Sequence, residues 1–441
     1  MGCVMKRYPK YKNSGVEWLG KVPEHWDPVK IARLGRLTKA NGGSKEDNVD
    51  SGIPCIRYGE LYTTYEYVIR KSRTYIGADC LSAYTPIHHG EVLFAASGET
   101  FEDIGRSAVN LLQEAACCGG DVILLRPEVD LDPLFSGYAL DSMASRAQKT
   151  LMGKGYTVVH IYADQLRDLA IAVPPQSEQK TIGKVLERET ARIDALIEKK
   201  TRFVELLKEK RQALITHGVT KGLGLNVKMR DSGVEWIGEV PAHWDIRRLG
   251  TLYREAIRPG DPGLPVLSIS IHDGITDEEL APEDRDRKVY LIEDRTKYKR
   301  VEPNDLAYNM MRAWQGAFGA VTVPGLVSPA YVVAHPMQPL RSAYIENLLR
   351  TPMAVEEMRR FSRGIADFRM RLYWEYFRDL KVCVPPIEEQ DAILADLYRE
   401  NAHMDRLGAA TERSITLLKE RRAALITAAV TGQIDLREEA A

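Results

Sequence analysis

Residues 14–27 read SGVEWLGKVPEHWD and residues 232–245 read SGVEWIGEVPAHWD, so eleven of 14 positions are identical at an offset of 218. A second pair of blocks begins at Val173-Pro174-Pro175 and Val384-Pro385-Pro386, runs through Glu178-Gln179 and Glu389-Gln390, and keeps an offset of 211. The same offset holds at residues 206–220 (LLKEKRQALITHGVT) and 417–431 (LLKERRAALITAAVT), which share 11 of 15 residues. Long identity at a fixed spacing marks an internal repeat. The order is hook, globular segment, long segment, and then the same three again. The chain is a tandem duplication whose ends are kept and whose middles have diverged, with Arg167-Asp168-Leu169 against Arg378-Asp379-Leu380 among the few matches inside them.

The middles contain short β-rich runs bounded by Gly or Pro, such as Asp121-Val122-Ile123-Leu124-Leu125 and Ala330-Tyr331-Val332-Val333, which predicts mixed α/β globules. The long segments differ. Residues 177–219 and 388–430 lack Pro and carry apolar residues at heptad spacing. The first stripe is Ile182, Leu186, Ile193, Leu196, Phe203, Leu207 and Leu214, interrupted by Glu189, Lys200, Lys210 and His217. The second carries Ile393, Leu397, Met404, Leu407, Leu418 and Leu425. Each predicts a helix roughly 65 Å long, at about 1.5 Å per residue. The Pro-Pro pair blocks helix upstream, and Glu178 or Glu389 suits the positive helix end. Neither helix can bury its stripe alone, so the simplest pairing is an antiparallel coiled coil. Glu189 would then face Arg421, and Lys210 would face Glu400. The expected fold is α+β: two mixed α/β domains related by pseudo-twofold symmetry, joined by two long helices. The boundaries are 14–175 and 232–386 for the globular domains, and 176–222 and 387–432 for the spacer helices.

Composition narrows the function. The 441 residues hold 61 Lys plus Arg against 62 Asp plus Glu, a formal charge of −1, which excludes a polycation that coats nucleic acid by charge alone. Residues 14–175 carry 16 basic and 21 acidic side chains, and residues 232–386 carry 21 and 22. Any nucleic-acid face must therefore be sorted locally. No apolar run reaches the ~18 residues of a membrane span and the start lacks a signal-peptide core, so a cytoplasmic protein is expected. Met1-Gly2-Cys3 departs from a lipidation motif at Lys6. The six cysteines, Cys3, Cys55, Cys80, Cys117, Cys118 and Cys383, form no CxxC pair, which predicts reduced, packed thiols.

Two unlike heads on one duplicated frame suit a reader of two separated half-sites on double-stranded DNA, where spacing is a geometric quantity. The hook SGVEWxGxVPxHWD, the block VPPxxEQxxI and the helix end LLKExRxALITxxVT closely resemble the specificity (S) subunit of type I DNA restriction-modification systems. The resemblance spans nearly the whole chain. It implies two target-recognition domains, each reading half of a bipartite asymmetric target, and spacers that fix the gap. It implies methyltransferase (M) subunits, two in number, that carry S-adenosylmethionine, and two restriction (R) subunits that use ATP and Mg. Under it the chain is a non-catalytic recognition subunit. In agreement, neither DPPY nor NPPF occurs, no Walker A motif is present, and His88-His89 lacks an HExxH partner. Asp286-Arg287-Lys288 sits in a charged run that reads as a solvated loop.

The DNA-contacting candidates are basic or amide residues beside aromatics. In the first head these are Arg57, Tyr58, Lys71, Arg73, Tyr75, Gln148, Lys149, Lys154 and Tyr156. In the second they are Asn309, Arg312, Trp314, Gln315, Arg363 and Arg369, of which Arg312 and Gln315 are able to make bidentate contacts to base edges. The hook tryptophans Trp18, Trp26, Trp236 and Trp244 are expected to be packing anchors. Exposed helix residues such as Arg192, Lys199 and Arg202 offer a face to a partner subunit. Two rival readings are a coiled-coil protein adaptor without DNA binding and a self-contained DNA-modifying enzyme. Sequence-selective binding of duplex would exclude the first, and modification of DNA only with an M subunit would exclude the second.

Overall fold

The structure, a computed structural model, describes residues 6–155, 158–224, 226–271, 274–281, 292, 294–363 and 370–440. Tyr156, Arg369 and the Asp286-Arg287-Lys288 run lie outside them. The two long segments form α1, Gln176–Lys221, and α2, Ile387–Val430, close to the expected limits. By packing the chain divides into residues 1–201 with 412–441 and residues 202–411, so each long helix is shared between the two units. None of the described helices is long and apolar enough to cross a membrane.

In the first unit one five-stranded sheet runs Gly35–Lys39, Val122–Pro127, Val92–Ala95, Ser107–Asn110, Tyr67–Ile69. All its pairs are antiparallel except the last. A second sheet runs Asn48–Val49, Thr74–Ile76, Ile53–Ile56, Ala116–Cys118, Thr85–Ile87. In the second unit the main sheet has four antiparallel strands, Tyr253–Glu255, Tyr331–Pro336, Leu306–Asn309 and Phe318–Ala320. The divergent middles share one feature that sequence comparison missed. Each places an eight-residue helix before a ten-residue one, Pro133–Leu140 and Met143–Met152 against Ser342–Leu349 and Pro352–Phe361. The N-caps Ser142 and Thr351 both accept a backbone N–H.

The kept blocks build the same joint in both units. The hook hairpins pair Tyr11 with Pro23 and Met229 with Pro241 in identical register. Gly20 and Gly238 take φ of 58° and 67° there, a region that favours glycine. The next strand closes each head by pairing with its last strand, Asp27–Lys30 with Ala170–Val173 and Asp245–Arg248 with Lys381–Val384. Trp26 and Trp244 are buried, and each donates its indole N–H to the first-turn glutamate of the following helix, Glu178 at 3.3 Å and Glu389 at 3.0 Å. His25 and His243 touch the same carboxylates at 2.9 and 2.8 Å. The neighbouring amides do matching work. Gln179 bonds the Pro174 carbonyl and the Asp132 N–H, while Gln390 bonds the Pro385 carbonyl and the Arg341 N–H. The end of the other long helix completes each joint. Gly432, at φ 71°, abuts Pro23 and Trp26, and Gly222, at φ 76°, abuts Pro241 and Trp244. Of the hook tryptophans Trp236 is also buried, but Trp18 is 40 % exposed and is no packing anchor.

The helices run antiparallel within each unit. Arg422 pairs with Asp194 in the first, and Arg211 pairs with Asp405 in the second. The register differs from the expected one, under which Asp194 would face Thr416 and Arg211 would face Arg399. Glu189 and Glu400 pair instead with Arg188 and Arg399 on their own helices. Long flanking side chains, rather than polar residues in the seam, carry the cross-helix charge pairs. Ile182, Leu186, Ile193, Ile393, Leu397, Met404 and Leu425 are buried as expected. Leu207, Leu214 and Leu418 are half-buried. Leu196, Phe203 and Leu407 are 37 to 42 % exposed, a correction to the predicted core. The inward positions near the helix ends join the head cores, whereas these mid-helix ones do not.

Candidate nucleic-acid interface

The first head presents a concavity of about 870 Å³ lined by the loop from Lys39 to Asn48 and by Arg57, Tyr58 and Tyr62. Arg57 was expected to read DNA, but its guanidinium is already committed. It donates to the carbonyls of Gly43 and Ser44, to Asn48 Oδ1 at 2.6 Å and to the Tyr84 hydroxyl at 3.1 Å, and lies 5.2 Å from the Tyr84 ring centroid. Tyr84 donates in turn to Asp47 at 2.6 Å, and burial together with that bond pushes its phenol up to about 12. Arg57 thus fixes the shape of a loop that carries Asn41, Ser44, Lys45 and Asn48 along the concavity. Gly42 packs so closely on the Gly119-Gly120 backbone that a Cβ would fall 2.3 Å from Gly120 N. Tyr58 is 37 % exposed and its ring lies 6.4 Å from that of Tyr62. The wall therefore offers amides, hydroxyls, Lys39, Lys45 and aromatic faces, groups that bond base edges and phosphates, alongside the carboxylates of Glu60, Glu99 and Asp121.

The other first-head candidates scatter. Lys71 and Arg73 are exposed, with Arg73 bonded to Thr64 at 3.2 Å, and Tyr75 donates to the Ser72 carbonyl. Lys154 makes a backbone bridge to His160. Gln148 and Lys149 require correction, because both are buried. Gln148 bonds the Ala170 backbone through both amide atoms. Lys149 sits 3.0 Å from Asp141, which also pairs with Arg146 and Arg106, and burial pushes the Lys149 amine down to about 8. Their positions beside Tyr156 suggested a loop, whereas they lie on the inner face of the helix Met143–Met152.

In the second head Asn309 ends a strand and Ala313–Gln315 form a single turn that stops at Gly316, with φ 92°. Trp314 donates to the Met311 carbonyl at 3.0 Å and lies 5.6 Å from the Arg359 guanidinium. Arg363 is exposed and stacks 5.0 Å from the Tyr376 ring centroid. Arg312 is half-buried and Gln315 exposed, so the turn presents both. Sequence reasoning missed Arg359, four residues from Arg363, and Tyr376, seven residues from Arg369. On the frame, Arg202 pairs with Glu205 and Glu209 of its own helix.

The profile of the family described as Type I restriction modification DNA specificity domain matches residues 23–206. The EcoKI specificity subunit of Escherichia coli K12 is 20 % identical over 94 % of this chain and 90 % of its own length. The putative MjaX specificity subunit of Methanocaldococcus jannaschii is 25 % identical over 263 residues, 57 % of that protein. Among solved structures, HsdS of Thermoanaerobacter tengcongensis aligns with a TM-score of 0.55 at 16 % identity over 94 % of this chain and 98 % of the other. A chain from a structure of the assembly and conformational transition of the type I R-M system reaches 0.66 at 16 % identity, over 93 % and 98 %. These two likenesses establish the fold.

Proposed function

We infer from its membership of the type I restriction-modification DNA specificity family that the chain reads a bipartite, asymmetric duplex target, one half-site with each head. One observation carries this: two unlike heads are mounted on the same joint, His25-Trp26 on Glu178 and His243-Trp244 on Glu389. Such a joint fixes how each head sits on its helix and leaves the head free to differ. In the first head the Arg57-held loop supplies readout, and in the second the Asn309 to Gln315 segment does. Both heads are net acidic, so phosphate attraction is shared with partners, and this chain contributes selectivity through placed side chains.

The partners are two methyltransferase subunits, which bring S-adenosylmethionine and extrude the target base, and two restriction subunits, which bring ATP and Mg. The chain itself holds no catalytic residue and positions those subunits. The test is to reconstitute the full chain with its methyltransferase subunit and map methylated adenines across a genome. The expected result is a two-part motif with a fixed gap. Lengthening a spacer helix by a few residues alters the gap and leaves both half-sites unchanged. Methylation without sequence preference, or half-sites that change with spacer length, refutes the reading.

A further inference from the structure

The likeness of the two heads continues past the ten-residue helices. Two residues after Met143–Met152 the chain closes a ribbon with two backbone hydrogen bonds, from Lys154 N–H to the His160 carbonyl at 2.9 Å and from His160 N–H to the Lys154 carbonyl at 2.8 Å. Two residues after Pro352–Phe361 the same bridge joins Arg363 and Arg371, with both bonds at 2.9 Å. The mounting is also the same. The next residue, Ile161 or Leu372, donates to the carbonyl of Ala96 or Met310, which in each head follows an inner strand, Val92–Ala95 or Leu306–Asn309. Residues directly opposite in an antiparallel pair send their side chains to one face, with Cβ atoms about 5 Å apart, and like charges so placed repel. Lys154, Arg363 and Arg371 are exposed. Arg363 stacks on the Tyr376 ring, and among the described residues no carboxylate pairs with any of the three. His160 is held through Nδ1 by Ser97 Oγ at 3.0 Å and keeps Nε2 for a ligand. Both ribbons adjoin the reading segments. Met310 lies between Asn309 and Gln315, and Val159–His160 pairs with Ser97–Gly98, next to Glu99 on the wall of the first-head concavity.

We propose that the two ribbons are phosphate clamps, Lys154 with His160 in the first head and Arg363 with Arg371 in the second, each gripping one backbone phosphate of the half-site that its head reads. Heads that read different bases cannot read them with a device that both keep on an identical mounting. The sugar-phosphate backbone is what two unlike half-sites have in common, and contacts to it fix register without carrying sequence information. A phosphate between the paired side chains also removes their repulsion, through charge-assisted hydrogen bonds. The inference rests on the reading of the chain as a DNA-recognition subunit and divides the labour within it: matched residues hold the duplex, and unmatched ones discriminate bases.

The experiment uses the full chain reconstituted with the methyltransferase subunit. Wild type is compared with Lys154→Gln, Arg371→Gln, the charge-keeping Arg371→Lys and the control Lys10→Gln, which removes an exposed charge from the first hook. Methylated bases are mapped for each, and affinity for duplex carrying the wild-type motif is measured between about 50 and 200 mM salt. Loss of one phosphate contact reduces the slope of log affinity against log salt by about 0.9, which trims the salt-induced loss about three- to fourfold. The expected result is that fall in Lys154→Gln and in Arg371→Gln, the wild-type slope in Arg371→Lys and Lys10→Gln, and the same methylated motif throughout. If sequence-selective binding is intact and both glutamine variants keep the wild-type slope, the clamps are refuted and the DNA reading stands. A fall in one head only refutes the shared device, and an equal fall in Arg371→Lys marks a structural effect and refutes it as well. A half-site that turns degenerate in either glutamine variant makes that ribbon a base reader, against the proposal. A wild-type complex that binds duplex without sequence preference overturns the DNA-recognition reading itself, and the clamps fall with it.

Discussion

The two joints use the same residues and differ in how deeply they are buried. Glu178 has a side-chain exposure of 6 %, and the Tyr8 hydroxyl donates to it beside the His25 and Trp26 contacts. Glu389 is 26 % exposed and has only His243 and Trp244 of the hook. The additional cover at the first joint comes from the chain ends. Arg437 lies 5.0 Å from the Tyr8 ring centroid, Tyr11 donates to the Gly432 carbonyl and Gln433 donates to the Lys21 carbonyl. At the second joint the chain passes on from Gly222 into the next hook. A duplicated motif thus acquires unequal energetics from what surrounds it.

The largest expected effect tests what the joints have in common. Trp26→Ala and Trp244→Ala each remove a buried indole and strand its partner carboxylate, at about 3–5 kcal/mol each. Both variants should unfold at markedly lower urea, read by tryptophan fluorescence and circular dichroism. Next comes the asymmetry. Glu178→Gln replaces a buried acceptor of several hydrogen bonds and should cost about 2 kcal/mol, whereas Glu389→Gln, nearer solvent, should cost about 1 kcal/mol or less. Equal losses would show that the tail and Tyr8 contribute nothing to the first joint.

The buried charges of the heads also differ. Asp141 is met by Lys149, Arg146 and Arg106, while Asp305 is met by Arg258 and His335. Only the first set contains a lysine. Burial holds the Lys149 amine at about 8, below its ordinary 10.5, so the unfolded chain binds more protons between those values. The penalty for keeping Lys149 charged is complete below pH 8 and is relieved as pH rises toward 10.5, so this group adds stability with rising pH. Lys149→Met should lack that contribution. Denaturant midpoints of wild type and variant at pH 7.5 and pH 10 check it, since other groups that titrate are common to both. A difference between the two proteins that does not change with pH would break the assignment.

How much of this could be read from residues alone depends on what selection kept twice. The frame was legible because the hook, the EQ block and the helix ends recur, and each recurring side chain has a packing or hydrogen-bonding duty at a joint. Glu178 and Glu389 were read as helix-dipole partners, but their contact with Trp26 and Trp244 depends on a fold-back of about 150 residues that spacing does not encode. Gln148 and Lys149 were misplaced because amphipathic helix and basic loop look alike over four residues. The shared helix pairs at Pro133–Leu140 and Ser342–Leu349 were invisible because buried positions accept many apolar residues, so topology persists after identity is lost. Heptad spacing found the stripe and overextended it, since periodicity says which face turns inward and not where a neighbour ends.

The smallest effect on stability should carry the largest effect on selectivity. Arg57 is half-buried, and apart from Tyr84 its bonds go to the loop from Lys39 to Asn48, so Arg57→Gln should change unfolding free energy by about 1 kcal/mol. The carbonyls of Gly43 and Ser44 lose their shared donor, and the loop from Lys39 to Asn48 samples more conformations. Base discrimination depends on fixed donor and acceptor positions, each good contact contributing about 1–3 kcal/mol against a wrong base. Relaxed readout should therefore appear at one half-site only, because this loop belongs to the first head. Methylation mapped with Arg57→Gln should show a degenerate first half-site, an intact second half-site and the same gap. Lys45→Gln, which leaves the loop held, should weaken binding without degeneracy. If both variants blur both half-sites, the concavity is not the reading surface of the first head, and the exposed Lys71 and Arg73 become the residues to test.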